Sequence, residues 1–176
     1  MNPDTMKSYV QLYTGNGKGK TTAAFGLALR AVGAGKKVFF AQFIKGKSYS
    51  ENEIVERLVP GITVRQFGRG CFIVNIPEKE DIEAARKGLN EVEKIIRSGD
   101  YDVVVLDEAC IAIYYQLFTE EALIRILKTR PAGTEIVITG RYATRELIDY
   151  ADLVTDMKEV KHYYNRGVKA RKGIEY

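Results

Sequence analysis

One run of eight residues, Thr14-Gly15-Asn16-Gly17-Lys18-Gly19-Lys20-Thr21, gathers glycines, lysines and a terminal hydroxyl between a strand-like stretch and a helix-like one. Glycines at alternate positions let successive backbone N–H groups turn inward and form an anion nest. The positive end of the following helix adds to the same field. Lys20 would bring a full charge to phosphate oxygens, and the Thr21 hydroxyl is an oxygen ligand suited to magnesium. The chemistry predicted is the cradling of a nucleoside triphosphate. Phosphate loops usually open on glycine, whereas here that place is Thr14, so the loop should curve in its own way.

A second element expected of a nucleotide-binding sheet is an apolar strand ending in a carboxylate. Val103-Val104-Val105-Leu106 followed by Asp107-Glu108 has that form, and one of the two acids should ligate magnesium directly or through water. Arg141 and Lys45 each follow a predicted strand; either could clamp a phosphate or be a plain surface cation. His162 is the single histidine, which excludes a multi-histidine metal site. No Ser/His/Asp arrangement or protein nucleophile stands out. These residues predict an ATP- or GTP-binding domain that uses magnesium, and they leave the acceptor open.

Alternating strand and helix signals place these groups. Residues 9–13 read as a strand, and 21–32 as a helix so apolar that it should be largely buried. Residues 38–44 form an apolar run suited to a strand covered on both faces. A short helix at 51–59 and a strand at 62–67 follow, then an irregular stretch at 68–77. Ile82, Ala85, Leu89, Val92 and Ile96 recur at helical spacing. Beyond the 103–106 strand come a helical stretch with Tyr114 and Tyr115, a helix at 120–128 capped by Thr119, and a strand at 136–138. A helix through Leu147 and Ile148 leads to Leu153-Val154 and a basic tail at 158–172. Such alternation predicts a three-layer α/β domain with a mostly parallel central sheet.

The whole chain, 176 residues with 45% hydrophobic and 28% charged residues, reads as one domain over 1–176. No apolar run reaches the ~18–20 residues of a membrane-spanning helix, and residues 1–8 lack the apolar core of a signal peptide. Cys71 and Cys110 have no metal spacing and fit thiols of a reducing cytosol. A net charge of +4 is too mild to argue for nucleic acid.

The loop and its continuation, Thr22-Ala23-Ala24-Phe25-Gly26, resemble the signature of the P-loop ATP:corrinoid adenosyltransferases, which act on cob(I)alamin or cob(I)yrinic acid a,c-diamide. The resemblance continues through Arg30-Ala31-Val32-Gly33, Gln42-Phe43-Ile44-Lys45-Gly46, Val104 to Glu108, and Ile138-Thr139-Gly140-Arg141. It persists in Val160-Lys161-His162, Gly167-Val168-Lys169-Ala170 and Gly173-Ile174-Glu175-Tyr176. It implies a P-loop NTPase-like fold and transfer of the 5′-deoxyadenosyl group of ATP to a Co(I) corrinoid, in adenosylcobalamin biosynthesis or salvage. The corrinoid itself is the nucleophile, so the protein need not supply one.

By the same resemblance, Gly15, Asn16, Gly17, Lys18, Gly19, Lys20, Thr21, Thr22 and Arg30 bind ATP; Arg141, from its place after a strand, is the further candidate ATP contact. Lys20, Thr21 and Glu108 are the catalytic set, with Mg2+ on Thr21 and Glu108; Asp107, from its place at the strand end, could reach the metal through water. Phe72 is the expected corrinoid contact: well-known members carry aromatic residues after a glycine where this chain reads Gly70-Cys71-Phe72-Ile73. Those members also have a longer segment before the first strand. A cytoplasmic homodimer served by a reducing flavoprotein, with no membrane or nucleic-acid partner, completes the expectation. The rival readings are a P-loop ATPase or kinase cleaving at the γ-phosphate, and a nucleic-acid module using the basic tail and Tyr163 and Tyr164.

Overall fold

The computed structural model describes residues 7–45, 50–69 and 76–175. The chain alternates β1 (Val10–Thr14), α1 (Lys20–Gly33), β2 (Val38–Phe43), α2 (Ser50–Leu58), β3 (Ile62–Phe67) and α3 (Lys79–Ser98). It continues with β4 (Val103–Asp107), α4 (Ala109–Tyr114), α5 (Glu120–Leu127), β5 (Glu135–Thr139), α6 (Arg145–Tyr150) and β6 (Leu153–Asp156). A 3-10 turn, Tyr163–Arg166, lies in the basic tail.

The strands form one sheet in the order β3-β2-β4-β5-β1-β6, and every described pairing is parallel. Alternation along each strand sends side chains to two separate cores. Val38, Phe40, Val103, Val105 and Val137 pack under α1 and α2. Phe39, Ala41, Phe43, Val104, Leu106, Ile136 and Ile138 pack under α3, α4, α5 and α6. Three layers result, as the sequence predicts. Phe25 of α1 stacks on Phe40 with ring centroids 4.0 Å apart, and Phe43 meets Phe118 edge-on at 5.1 Å on the other face. Each fully buried ring of this kind contributes roughly 1.5–3 kcal/mol.

Helix ends follow their local chemistry. Thr119 accepts from the Ala122 N–H and starts α5, as expected. Glu78 and Asp81 form a capping box at α3, and Gly99 closes that helix in the left-handed region.

Two expectations change. Helix α1 is buried along one face only, at Lys20, Ala24, Phe25, Ala28 and Ala31, while Leu29 is 51% exposed. A helix in an outer layer has one sheet to cover it, so its far side meets solvent however apolar it is. The stretch at Leu153-Val154 is the edge strand β6, paired with β1, and its four residues are all exposed. Short, exposed strands carry no burial pattern from which they could be read.

Candidate functional site: a phosphate loop and a cationic carboxylate cluster at one sheet edge

Because all the strands are parallel, their carboxyl ends share one edge, where ligands of open α/β sheets bind. The Thr14–Lys20 loop, Lys45, Asp107-Glu108, Gly140-Arg141 and Met157 all follow strand ends there. The buried polar and charged side chains among the described residues are Thr14, Lys20, Gln42, Asn52, Asp107, Thr134 and Thr139. All but Thr134 belong to this edge. Ile44, Glu108 and Tyr142 follow β2, β4 and β5 with left-handed φ of 68°, 61° and 61°. Such backbone is costly for side-chain-bearing residues and gathers at functional edges.

Lys20, at the start of α1, is 7% exposed. Its ammonium donates to the Gly15 and Gly17 carbonyls at 2.7 Å each, so it lies folded along the loop. Burial, and next the positive charge of Arg141, lower its pKa. Gly15 and Gly17 serve a second purpose that the motif does not announce. The Gly17 N–H donates to the Met157 carbonyl at 2.6 Å, and a Cβ on Gly17 would stand 2.6 Å from that same oxygen. The chain leaving β6 is thus pressed against the loop, and only glycine permits the approach.

Asp107 is fully buried and serves as the hub. Its Oδ1 accepts from Thr21 Oγ1 at 2.8 Å and Thr139 Oγ1 at 2.7 Å. Its Oδ2 accepts from Lys45 Nζ at 2.8 Å and Gln42 Nε2 at 3.3 Å. Gln42 and Asp107 are register partners across β2 and β4, which fixes their approach. An acceptor-only carboxylate dictates the amide orientations around it. Gln42 turns its NH2 to Asp107, so its Oε1 accepts from Asn52 Nδ2 at 2.8 Å and Gln66 Nε2 at 3.1 Å. Among the described residues, Asn52 Oδ1 is left buried without a partner.

Glu108 is held by its own N–H donating to Thr139 Oγ1 at 3.1 Å. Burial, and then the neighbouring Asp107, push its carboxyl pKa upward, partly offset by Lys45, Lys20 and Arg141. Cys110, at the start of α4, is a buried free thiol pushed up to about 12 by burial, so it is no nucleophile at neutral pH.

Among the described residues no group of three or more His, Cys, Asp or Glu could hold a metal by itself. Thr21, Asp107 and Glu108 are nevertheless hard oxygen donors of the kind magnesium takes, which is ordinarily completed by water and substrate phosphates. The cation already drawn between Thr21 and Asp107, the Lys45 ammonium, shows that this donor set favours positive charge. The residues therefore fit a magnesium–polyphosphate complex.

The structure brings Gly15, Gly17, Gly19, Lys20, Thr21, Asp107, Glu108 and Arg141 to this edge, with Asn16 and Thr22 exposed beside them. Lys18 is turned away: its ammonium donates to the Ile174 carbonyl at 2.7 Å, Glu175 Oε1 at 3.0 Å and Tyr163 OH at 3.2 Å. Arg30 lies in the last turn of α1, about 15 Å along the helix from Lys20, near Tyr13. Phe72 falls outside the described residues, as do Gly70, Cys71 and Ile73. Gln42, Asn52 and Thr139 are site residues the motif reading passed over. Their signal was a polar side chain at the end of a strand otherwise apolar on both faces, and for Asn52 there was none.

Residues 6–176 match the family model described as ATP:corrinoid adenosyltransferase BtuR/CobO/CobP. The corrinoid adenosyltransferase of Escherichia coli strain K12 is 36% identical over 171 residues, covering 97% of this chain and 86% of that protein. The corrinoid adenosyltransferase CobA of Salmonella typhimurium strain LT2 is 37% identical over 171 residues, with the same coverage of both chains. That of Pseudomonas aeruginosa is 36% identical over 166 residues, 94% of this chain and 82% of the relative. A phosphate loop on an all-parallel sheet narrows the chain to nucleotide chemistry, and a match over nearly its whole length narrows it further: the chain belongs to the ATP:corrinoid adenosyltransferase family.

Proposed function

We propose that this chain transfers the 5′-deoxyadenosyl group of ATP to the Co(I) centre of a corrinoid. The cobalt electron pair attacks the ribose 5′ carbon, a cobalt–carbon bond forms, and the carbon–oxygen bond breaks. The bonding pair of that carbon–oxygen bond leaves with the oxygen on the triphosphate, so no phosphorus is attacked. The observation that carries this reading is the family match over residues 6–176. The chain's own part is to position two reactants and to stabilise charge growing on the leaving triphosphate.

In this reading Gly15, Asn16, Gly17, Gly19, Lys20, Thr21 and Thr22 cradle the polyphosphate. Arg141, whose charge already reaches Lys20 and Glu108, adds a cation at the same edge. Thr21, Glu108 and Asp107 hold Mg2+, which supplies charge neutralisation to the triphosphate. Lys18 joins once its contacts with the tail are released. A nucleotide contact for Arg30 and a corrinoid contact for Phe72 rest on the family resemblance. So do a homodimeric state, a flavoprotein reductant and a cytoplasmic setting, while action as a single domain over 1–176 rests on the chain's length and composition. None of the described helices is long and apolar enough to cross a membrane.

The deciding experiment supplies ATP, Mg2+ and chemically reduced corrinoid, and follows products by phosphorus NMR beside the corrinoid absorbance. Adenosylated corrinoid and inorganic triphosphate should appear in equal amounts. Corrinoid-independent release of ADP and phosphate at about 1 per second or faster would instead make the chain an ATPase.

A further inference from the structure

Three of the four hydrogen-bond donors around Asp107 are anchored in regular structure: Thr21 in the first turn of α1, Gln42 in β2, Thr139 in β5. The fourth, Lys45, lies beyond the end of β2 on a four-carbon stem. Its ammonium stands 2.8 Å from Asp107 Oδ2 and 3.3 Å from Thr21 Oγ1, between two oxygens of the donor set described above. Its side chain is 13% exposed, against none for Asp107. A buried carboxylate without a positive partner is strongly unfavourable, and Lys45 supplies that partner.

A magnesium ion binds oxygen at about 2.0–2.1 Å. It cannot share Thr21 and Asp107 with an ammonium already within 3.3 Å of both, since two cations at such range repel strongly when water is excluded. We propose that Lys45 is a tethered cation that holds the metal position in the nucleotide-free protein and leaves it when magnesium and polyphosphate arrive together. The proposal rests on the magnesium reading above and adds an order to it. Metal alone must evict Lys45 with no new anion to receive the ammonium. Polyphosphate provides that anion within reach of the same stem. Metal and nucleotide therefore bind with positive coupling, and Lys45 is the residue that couples them.

The test is Mn2+ binding to the full chain, read by electron paramagnetic resonance with and without ATP. Without nucleotide, Lys45→Met should bind Mn2+ about tenfold more tightly than wild type, and Lys45→Arg should bind as weakly as wild type. ATP should tighten Mn2+ binding by a large factor in wild type and a smaller one in Lys45→Met. Equal free-Mn2+ affinity in wild type and Lys45→Met overturns the proposal. A Thr21→Ala variant separates the two readings. If it weakens Mn2+ binding with ATP while Lys45→Met changes nothing, the role of Lys45 alone falls. If it leaves Mn2+ binding intact, the magnesium site falls and this inference with it. Should Lys45→Met fail to fold, carbon NMR of dimethylated lysines in the wild type decides. The Lys45 signal should shift with Mg2+ and ATP together but not with Mg2+ alone, and a signal indifferent to both overturns the proposal.

Discussion

Lys18 of the phosphate loop and Glu175, 157 positions later, form a 3.0 Å ion pair that ties the C-terminal tail to the loop. Arg171 and Tyr163 also bind the Glu175 carboxylate, and with Lys18 they hold its pKa well below the usual carboxylate range. A carboxylate on Lys18 occupies the charge that a phosphate would use. Glu175→Gln should therefore bind ATP more tightly at low salt, by about two- to fivefold, because exposed ion pairs are weak. The gain should vanish near about 0.5 M salt, where screening is nearly complete. Calorimetric titration at both salt concentrations checks this, and equal low-salt affinities would remove the tail as a competitor. Tyr163 is also engaged here, which leaves it less free to stack on a nucleic-acid base than the isolated sequence implies.

Lys20 offers a sharper effect. Its ammonium now rests on the Gly15 and Gly17 carbonyls, poised to exchange them for phosphate oxygens. Losing such a preorganised charge costs roughly 10²–10³ in rate. Lys20→Ala should lose turnover by that factor while its far-UV circular dichroism matches wild type. Wild-type turnover from the folded variant would take the loop out of the mechanism.

The phosphate loop, the Asp107-Glu108 pair and the three-layer architecture were legible because each is local: a spacing, a strand ending, an alternation of periods. Strand β3 and the Thr119 cap match their sequence signals to the residue. What was not legible depends on distant pieces of chain meeting. Nothing near Lys18 announces Glu175, and nothing near Gly17 announces Met157. Strand β6 is short and exposed, so no burial pattern marks it. Lys45 was visible as a cation after a strand, but its partner is set by the β2–β4 register, which sequence does not specify. The bond from the Thr21 hydroxyl to Asp107 likewise joins residues 86 positions apart, and no spacing announces it.

Gly17→Ala separates backbone packing from phosphate binding. The added methyl would stand 2.6 Å from the Met157 carbonyl oxygen, so the chain after β6 must give way. Overpacking of this kind typically costs about 1–3 kcal/mol. The variant should unfold at lower denaturant concentration than wild type even with no nucleotide present. Unchanged unfolding without nucleotide, combined with weakened ATP binding, would mean that the glycine serves phosphate alone.

Glu108 is where stability and activity should part. Burial, and then Asp107, raise its folded pKa, so ionising it costs folding free energy. The sign follows from where the protons are. Below the ordinary carboxylate value of about 4.3, Glu108 is protonated folded or unfolded, and Glu108→Gln should be as stable as wild type. As pH climbs from there to the raised folded value, only the unfolded chain gives up the proton, and wild type loses stability relative to the variant. Above the raised value the gap is constant. At neutral pH, without metal, Glu108→Gln should thus melt about 2 °C or more above wild type. Its turnover should fall by roughly 10² if the carboxylate serves magnesium and the triphosphate. Excess Mg2+ with ATP should narrow the melting difference, because the wild-type charge then gains a partner the amide cannot match. Melting curves at pH 4 and pH 7.5, with and without Mg2+ and ATP, test each part. A variant less stable than wild type at pH 7.5 in the absence of metal would mean that Glu108 is stabilised as an anion by the cations around it, and that its role is structural first.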